Sequence, residues 1–274
     1  LLIDPVEVEK KITGRTKAII TVDYAGQPCN YDSLKDIAGK YNLILVADAC
    51  HSLGATYRGV KAGSIADMTV SSFHPVKHLT TGEGGMVSTN NPDYAKKVRV
   101  FRNHGISTDF QQREKKCSWC YEMVDLGYNY RITDFQCALG ISQLRKSTKR
   151  LARRRGIAAI YDEAFAGFPY VMPLSVGNDV LHAYHLYVVR IMDKEPSKKR
   201  ESVFKHLREK EIGVNVHYLP VHLHPFYKKR FNTGAGLCLV AEQAYEHILS
   251  LPMFPELENK EQEYVIKTIK EIWS

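Results

Sequence analysis

The stretch Val70–Ser88, VSSFHPVKHLTTGEGGMVS, decides how the chain is read. An apolar strand runs into Ser71-Ser72-Phe73, a lysine follows at Lys77, and the turn Gly82-Glu83-Gly84-Gly85 opens another strand. A lysine just beyond a strand end, inside a tight turn, is partly desolvated and held in place. Both conditions let an amine shed its proton and attack a carbonyl. Taken alone, such a residue is far more often a surface lysine in a loop, so its neighbours must decide.

Working outward, strand and helix alternate over the first ninety residues. Lys17 to Val22, Leu43 to Ala47 with Asp48 at its end, Met68 to Phe73 and Met86 to Thr89 read as strands. Tyr31 opens a helix to about Tyr41, and Asn91-Pro92-Asp93 starts another toward Arg102. Short, unbroken apolar strands between helices indicate an α/β architecture with a parallel or mixed sheet covered on both faces. Arg113 to Met123 reads as an irregular loop. Thr133, followed by Asp134, is an N-cap for a long helix through Phe135, Ala138, Leu139, Ile141 and Leu144. A composition shift from Gly167 to Asn178 divides the chain into a large domain, 1–167, and a smaller α+β domain, 168–274. In the latter, His182 to Ile191 and Val214 to Tyr218 are expected strands. Lys198 to Glu211, Cys238 to Leu249 and Glu261 to Trp273 are expected helices.

The totals bound the partners. With 274 residues and 44% hydrophobic content, the chain can bury a sizeable core. No apolar run reaches the length of a membrane span, and Leu1-Leu2-Ile3-Asp4-Pro5 does not read as a signal peptide. Six scattered cysteines are too sparse for a disulfide framework, so a reducing cytoplasm is expected. The net charge of +8 suits an anionic partner. Its densest run, Lys149-Arg150-Leu151-Ala152-Arg153-Arg154-Arg155, has no interleaved aromatics and reads as a solvated helix face before a nucleic-acid patch. Phosphate-bearing small molecules are the simplest anionic partners.

Asp48 ends an apolar strand and begins Asp48-Ala49-Cys50-His51. In open α/β sheets the carboxyl ends of strands face the ligand crevice. A carboxylate there can hold a cationic ring nitrogen, and a lysine from the next strand's exit can lie beside it, as pyridoxal phosphate requires. A capping aspartate and an unrelated lysine would give the same spacing.

Taken together, Asp48-Ala49-Cys50-His51, Ser72-Phe73, Lys77, Thr81-Gly82-Glu83-Gly84-Gly85 and Leu126-Gly127-Tyr128-Asn129-Tyr130-Arg131-Ile132-Thr133-Asp134 resemble the DegT/DnrJ/EryC1/StrS sugar aminotransferases. These are fold-type I enzymes dependent on pyridoxal 5'-phosphate. The resemblance implies that Lys77 is the Schiff-base lysine and proton shuttle and that Asp48 pairs with the pyridine nitrogen. It places His51 near the cofactor's 3-hydroxyl, where a core histidine is the plain alternative. Ser72 would donate to the cofactor phosphate, although a strand-end serine bonded to backbone reads the same way. Asn129 would reach across a homodimer interface to the phosphate of the neighbouring subunit's cofactor; its bland alternative is a turn asparagine. Arg131 would anchor nearby or pair with a carboxylate. His217 and Tyr218 resemble the small-domain segment facing the nucleotide sugar.

Two constellations stay weak. His217, His222 and His224 permit a metal-site reading, but no cysteine or carboxylate stands near them in sequence. Cys117-Ser118-Trp119-Cys120 is one CxxC without a second pair, and is treated as incidental.

The implied reaction is amino transfer from glutamate to C4 of a UDP-linked 4-keto-6-deoxy-N-acetyl sugar, the pseudaminic-acid branch. His51, the Ser72–Lys77 segment and Thr21-Val22-Asp23-Tyr24-Ala25-Gly26 favour that branch. Another nucleotide-linked ketosugar is the alternative, and a non-catalytic binding domain is a third reading. A dehydratase relative is disfavoured because that branch replaces the lysine. The resemblance also implies a section before Leu1 that supplies three strands and a phosphate-cradling turn. A fragment with open sheet edges and weak cofactor binding is therefore expected.

Overall fold

The computed structural model describes residues 1–108, 110–115 and 119–273. Strands β1 (Ala18–Val22), β2 (Ile44–Asp48), β5 (Met68–Ser72) and β6 (Gly85–Ser88) form one sheet in the order β1-β2-β5-β6. The first three are parallel; β6 returns antiparallel to β5, pairing Ser72 with Gly85. In this register Val22, Asp48 and Val70 lie side by side at the carboxyl ends, so the strand exits carry the functional candidates. Helices α1 (Pro5–Lys11) and α2 (Tyr31–Lys40) cover one face, where Tyr31, Leu34 and Ile37 pack on Ile19, Leu45 and Ala47. For Leu34, Ile37, Ile19 and Leu45, burial of the side chain contributes roughly 1.5–3 kcal/mol each. The remaining sheet edges, β1 and β6, leave Ile20, Val22, Met86 and Val87 exposed.

A hairpin of β3 (Thr56–Tyr57) and β4 (Val60–Lys61) pairs with β8 (Val180–Leu181), tying the first half of the chain to the second. Helix α3 (Pro92–Phe101) starts on an Asn91 cap. Helix α4 (Phe110–Lys115) overlaps the start of the Arg113 to Met123 stretch expected to be irregular. Cys117 and Ser118 lie outside the described residues.

Helix α5 (Asp134–Phe165) starts at the expected cap: Thr133 Oγ1 accepts from Gln136 N, and Gln136 Oε1 accepts from Thr133 N. Its first half is largely exposed, while Ile157, Ala158, Tyr161 and Phe165 enter a second core. That core is closed by an antiparallel sheet of β7 (Val171–Pro173), β9 (Tyr187–Ile191) and β10 (Ile248–Leu251) in the order β10-β9-β7. Helices α6 (Pro196–Glu209) and α9 (Asn259–Glu271) add Val203, Leu207, Val265 and Ile269. Two further helices, α7 (Pro225–Phe231) and α8 (Leu239–His247), precede β10.

Three boundaries differ from the sequence reading. The strand expected from His182 begins only at Tyr187, because Ala183 N and Leu186 N donate to Gly26 and Ala25 carbonyls. Val214 to Tyr218 is not a strand: Asn215 makes one bridge to Ser250, and the His217 carbonyl accepts from the Tyr24 hydroxyl. The helix expected to reach Leu249 stops at His247, where four buried residues join β9.

The basic run is also not a solvated face. Arg154 is 5% exposed, and its guanidinium donates to the carbonyls of Tyr184 (2.9 Å), His185 (3.4 Å) and Met253 (2.8 Å). Arg155 Nε donates to His182 O at 3.1 Å, and Arg153 binds Leu257 O and Asn259. These arginines close the junction between the two cores. Among the described residues no helix is long and apolar enough to cross a membrane.

Candidate active site

Lys77 sits in the turn after β5, its N–H donating to His74 O at 3.0 Å while Thr81 N closes onto Phe73 O at 3.0 Å. Gly84 lets this turn fold tightly: its φ is +150°, and a Cβ there would lie 2.5 Å from Thr81 Oγ1. Burial holds the Lys77 amine below its ordinary pKa, and Cys50 and Asp48 push the other way. Asp48, at the end of β2, accepts from Cys50 N at 3.1 Å. Burial, followed by hydrogen bonding and charge from Asp48, raises the Cys50 thiol to about 12. The amine of Lys77 thus shares its electrostatic surroundings with the Asp48 carboxylate and a neutral Cys50 thiol.

His51 follows on the same strand exit and is 8% exposed. Burial, reinforced by the Lys77 charge, lowers its pKa to about 4, so the imidazole is neutral at physiological pH. Its ring lies 4.3 Å from that of His185 and 6.5 Å from those of Tyr24 and Tyr218. Its Nδ1 is buried without a partner among the described residues. His217 is held by Ser250 Oγ at 2.8 Å, and burial followed by the Lys77 charge lowers its pKa. Tyr218 is 54% exposed, with its ring turned edge-on to His217. The second-core segment thus meets the strand exits at Lys77.

Ser72 Oγ accepts from His74 N at 3.3 Å, the backbone role open to a strand-end serine, and its O–H remains able to donate. Asn129 and Arg131 do not join this cluster. Both are exposed: Asn129 bridges to Asn103, and Arg131 Nη1 donates to Asn103 Oδ1 at 2.9 Å. Arg131 thus meets an amide rather than a carboxylate. His222 pairs with Glu242 at 2.8 Å, so a carboxylate does join it from twenty positions downstream. Glu242 also accepts from Gly236 N and Cys238 N, which hold it down to about 2. Among the described residues no group of three or more His, Cys, Asp or Glu is placed to hold a metal ion.

Several residues that build this site had no role assigned from sequence, although Asp23 and Gly26 lie in the Thr21–Gly26 stretch quoted above. Asp23 leaves β1 as Asp48 leaves β2, and that shared strand-exit position was the available signal. It is fully buried and accepts from Cys29 N (3.0 Å), Tyr31 Oη (2.9 Å) and Ser52 Oγ (2.6 Å). Burial raises its pKa against those three bonds. Through Ser52 it fixes the turn that carries His51. Gly26 makes the crossing: at φ +109°, a Cβ would meet Tyr184 N at 2.8 Å and His51 O at 2.9 Å. His78 and His185, both buried, had no signal beyond lying next to Lys77 and ahead of an apolar run.

The sequence profile of the DegT/DnrJ/EryC1/StrS aminotransferase family matches residues 1–270. A UDP-4-amino-4,6-dideoxy-N-acetyl-beta-L-altrosamine transaminase of Campylobacter jejuni is 38% identical over 252 residues, 92% of this chain and 64% of that protein. Helicobacter pylori PseC, an aminotransferase of pseudoaminic acid biosynthesis, superposes with a TM-score of 0.91 at 32% identity, covering 98% of this chain and 70% of its own. The PLP-form of the putative sugar aminotransferase Spr1654 from Streptococcus pneumoniae gives a TM-score of 0.89 at 32% identity, covering 99% and 72%.

Proposed function

This chain belongs to the DegT/DnrJ/EryC1/StrS aminotransferase family, and on that premise we propose that it transfers an amino group from glutamate to C4 of a UDP-linked 4-keto-6-deoxy-N-acetyl sugar. The observation that carries the reading is the meeting of a partly desolvated Lys77 amine, the Asp48 carboxylate and the neutral His51 imidazole at adjacent strand ends. Names borne by relatives at 32–38% identity support the choice of sugar.

The residues present fit pyridoxal 5'-phosphate, the cofactor of these aminotransferases. His51 Nδ1 is a buried polar atom still lacking a partner, the Ser72 hydroxyl retains its proton, and Asp48 offers a carboxylate at the crevice. When bound, the cofactor supplies an aldehyde for the lysine and a ring that accepts electrons. Asp48 would hold the ring nitrogen protonated, Ser72 would donate to the phosphate, and His51 would stand near the 3-hydroxyl. Burial lowers the Lys77 pKa from its ordinary value, which favours Nζ as the group that would take a proton from one carbon and deliver it to another. His217 and Tyr218 face the sugar. Asn129 and Arg131, exposed away from Lys77, serve the site of a second subunit in a homodimer.

The test mixes the chain with pyridoxal phosphate, then with glutamate and a panel of UDP-4-ketosugars, reading product by mass spectrometry. A visible absorbance band lost in Lys77→Ala, with amination preferred on the 6-deoxy-N-acetyl substrate, is expected. A band that survives in Lys77→Ala refutes the lysine assignment, and a preference for another ketosugar refutes the substrate.

A further inference from the structure

Lys77 is held by a turn whose own hydrogen bonds are local, yet the next residue reaches far. His78 is 8% exposed, and its Nε2 lies 3.0 Å from the carbonyl oxygen of Ala183, 105 positions away. Its ring centroid is 5.4 Å from that of His185, which in turn lies 4.3 Å from His51. The three imidazoles form a continuous buried row from the backbone beside Lys77 to the residue on the neighbouring strand exit.

The segment that carries Ala183 and His185 is fixed. Ala183 N donates to Gly26 O at 3.0 Å and Leu186 N to Ala25 O at 3.2 Å. Arg154 clamps the Tyr184 and His185 carbonyls. We propose that His78 is a positioning residue for Lys77: by donating Nε2–H to the Ala183 carbonyl it docks the lysine turn on the 183–186 segment. This rests on the assignment of Lys77 above.

The chemistry of the contact selects one form of the ring. A carbonyl only accepts, so Nε2 must carry the proton. Nδ1 is buried without a partner among the described residues, which suits the unprotonated nitrogen of a neutral imidazole. Burial, with Arg154 nearby, lowers the His78 pKa to about 3, so the neutral form persists at physiological pH. A turn tethered in this way holds Nζ in register with Asp48, whereas a turn held only by local bonds leaves it to wander.

The test uses the whole chain and reads labelling of Lys77 rather than turnover. Pyridoxal phosphate followed by borohydride fixes a pyridoxyl group on reactive lysines, and peptide mass spectrometry gives the rate at Lys77. His78→Leu, which fills the space without a donor, is expected to lower that rate about ten-fold, while His78→Gln, whose amide can reach Ala183 O, restores it to within about two-fold. Equal rates in wild type and a folded His78→Leu overturn the proposal, as does a folded His78→Gln no faster than His78→Leu. A wild-type chain not labelled preferentially at Lys77 overturns the lysine assignment itself, a distinct outcome. Should His78→Leu not fold, imidazole ¹⁵N spectra of the wild type decide. An Nε2–H tautomer that does not titrate between about pH 5 and pH 8 is expected, and an Nδ1–H tautomer or a titration in that range overturns the proposal.

Discussion

Replacing Arg154 by methionine tests whether the junction between the two cores is held by carbonyl bonds to a buried charge. Its guanidinium makes two good bonds, 2.9 Å to Tyr184 O and 2.8 Å to Met253 O, and a weaker one of 3.4 Å to His185 O. All three leave Nη1, which carries two hydrogens, so the 3.4 Å contact is shared; at about 1.5–3 kcal/mol for each bond from a charged group, the two good ones together amount to roughly 4–5 kcal/mol. Against them stands the cost of burying the charge. Burial lowers the Arg154 pKa from 12.5 to about 10, which corresponds to about 3 kcal/mol. Methionine escapes that cost but leaves the carbonyls short of a donor, so a net loss of about 1–2 kcal/mol is expected. Urea unfolding followed by circular dichroism measures it: the midpoint should fall with the slope unchanged. A loss below about 1 kcal/mol, or a gain, would refute the reasoning and make Arg154 a tolerated burial rather than a clamp.

Two further outcomes follow from the same junction. His51, His78 and His182 have folded pKa values lowered to about 4, 3 and 3 by burial, and His185 is lower still. A base with a depressed folded pKa is matched by an unfolded chain that binds more protons, so stability present above pH 6.5 drains as pH falls toward 4. Each group removes about 1.4 kcal/mol per pH unit in that window, and a urea midpoint that stays flat from about pH 6.5 to 5 would contradict this. Gly26→Ala drives a Cβ to within 3 Å of two backbone atoms, Tyr184 N and His51 O, at φ +109°. A loss of about 2–3 kcal/mol is expected, together with slower Lys77 labelling because the 183–186 segment must retreat. Unchanged midpoint and labelling would show that the crossing can relax.

The large-domain strands, with the lysine and aspartate at their exits, were legible in sequence for a local reason. The strands are short apolar runs whose alternate residues pack under the helices rather than being buried on both faces as expected, and each carboxyl end is where the run stops, which places Asp48 and Lys77 at strand exits. Thr133 did likewise, since a cap is read from four consecutive residues. The strands of the second sheet were blurred where backbone groups found partners outside any ladder, as at Ala183, Leu186 and His217.

By itself the sequence determined that an aspartate ends one apolar strand and a lysine follows another, because apolar periodicity and turn chemistry act over a few residues; that the two strands are parallel neighbours is a tertiary fact. Only the tertiary structure decided what surrounds them. Arg154 looks like surface charge in a basic run until α5 carries it under three carbonyls. His78 looks incidental until Ala183 arrives from 105 positions away. Burial, and with it the protonation state of the buried imidazoles, is a property of what packs from afar, and no local pattern encodes it.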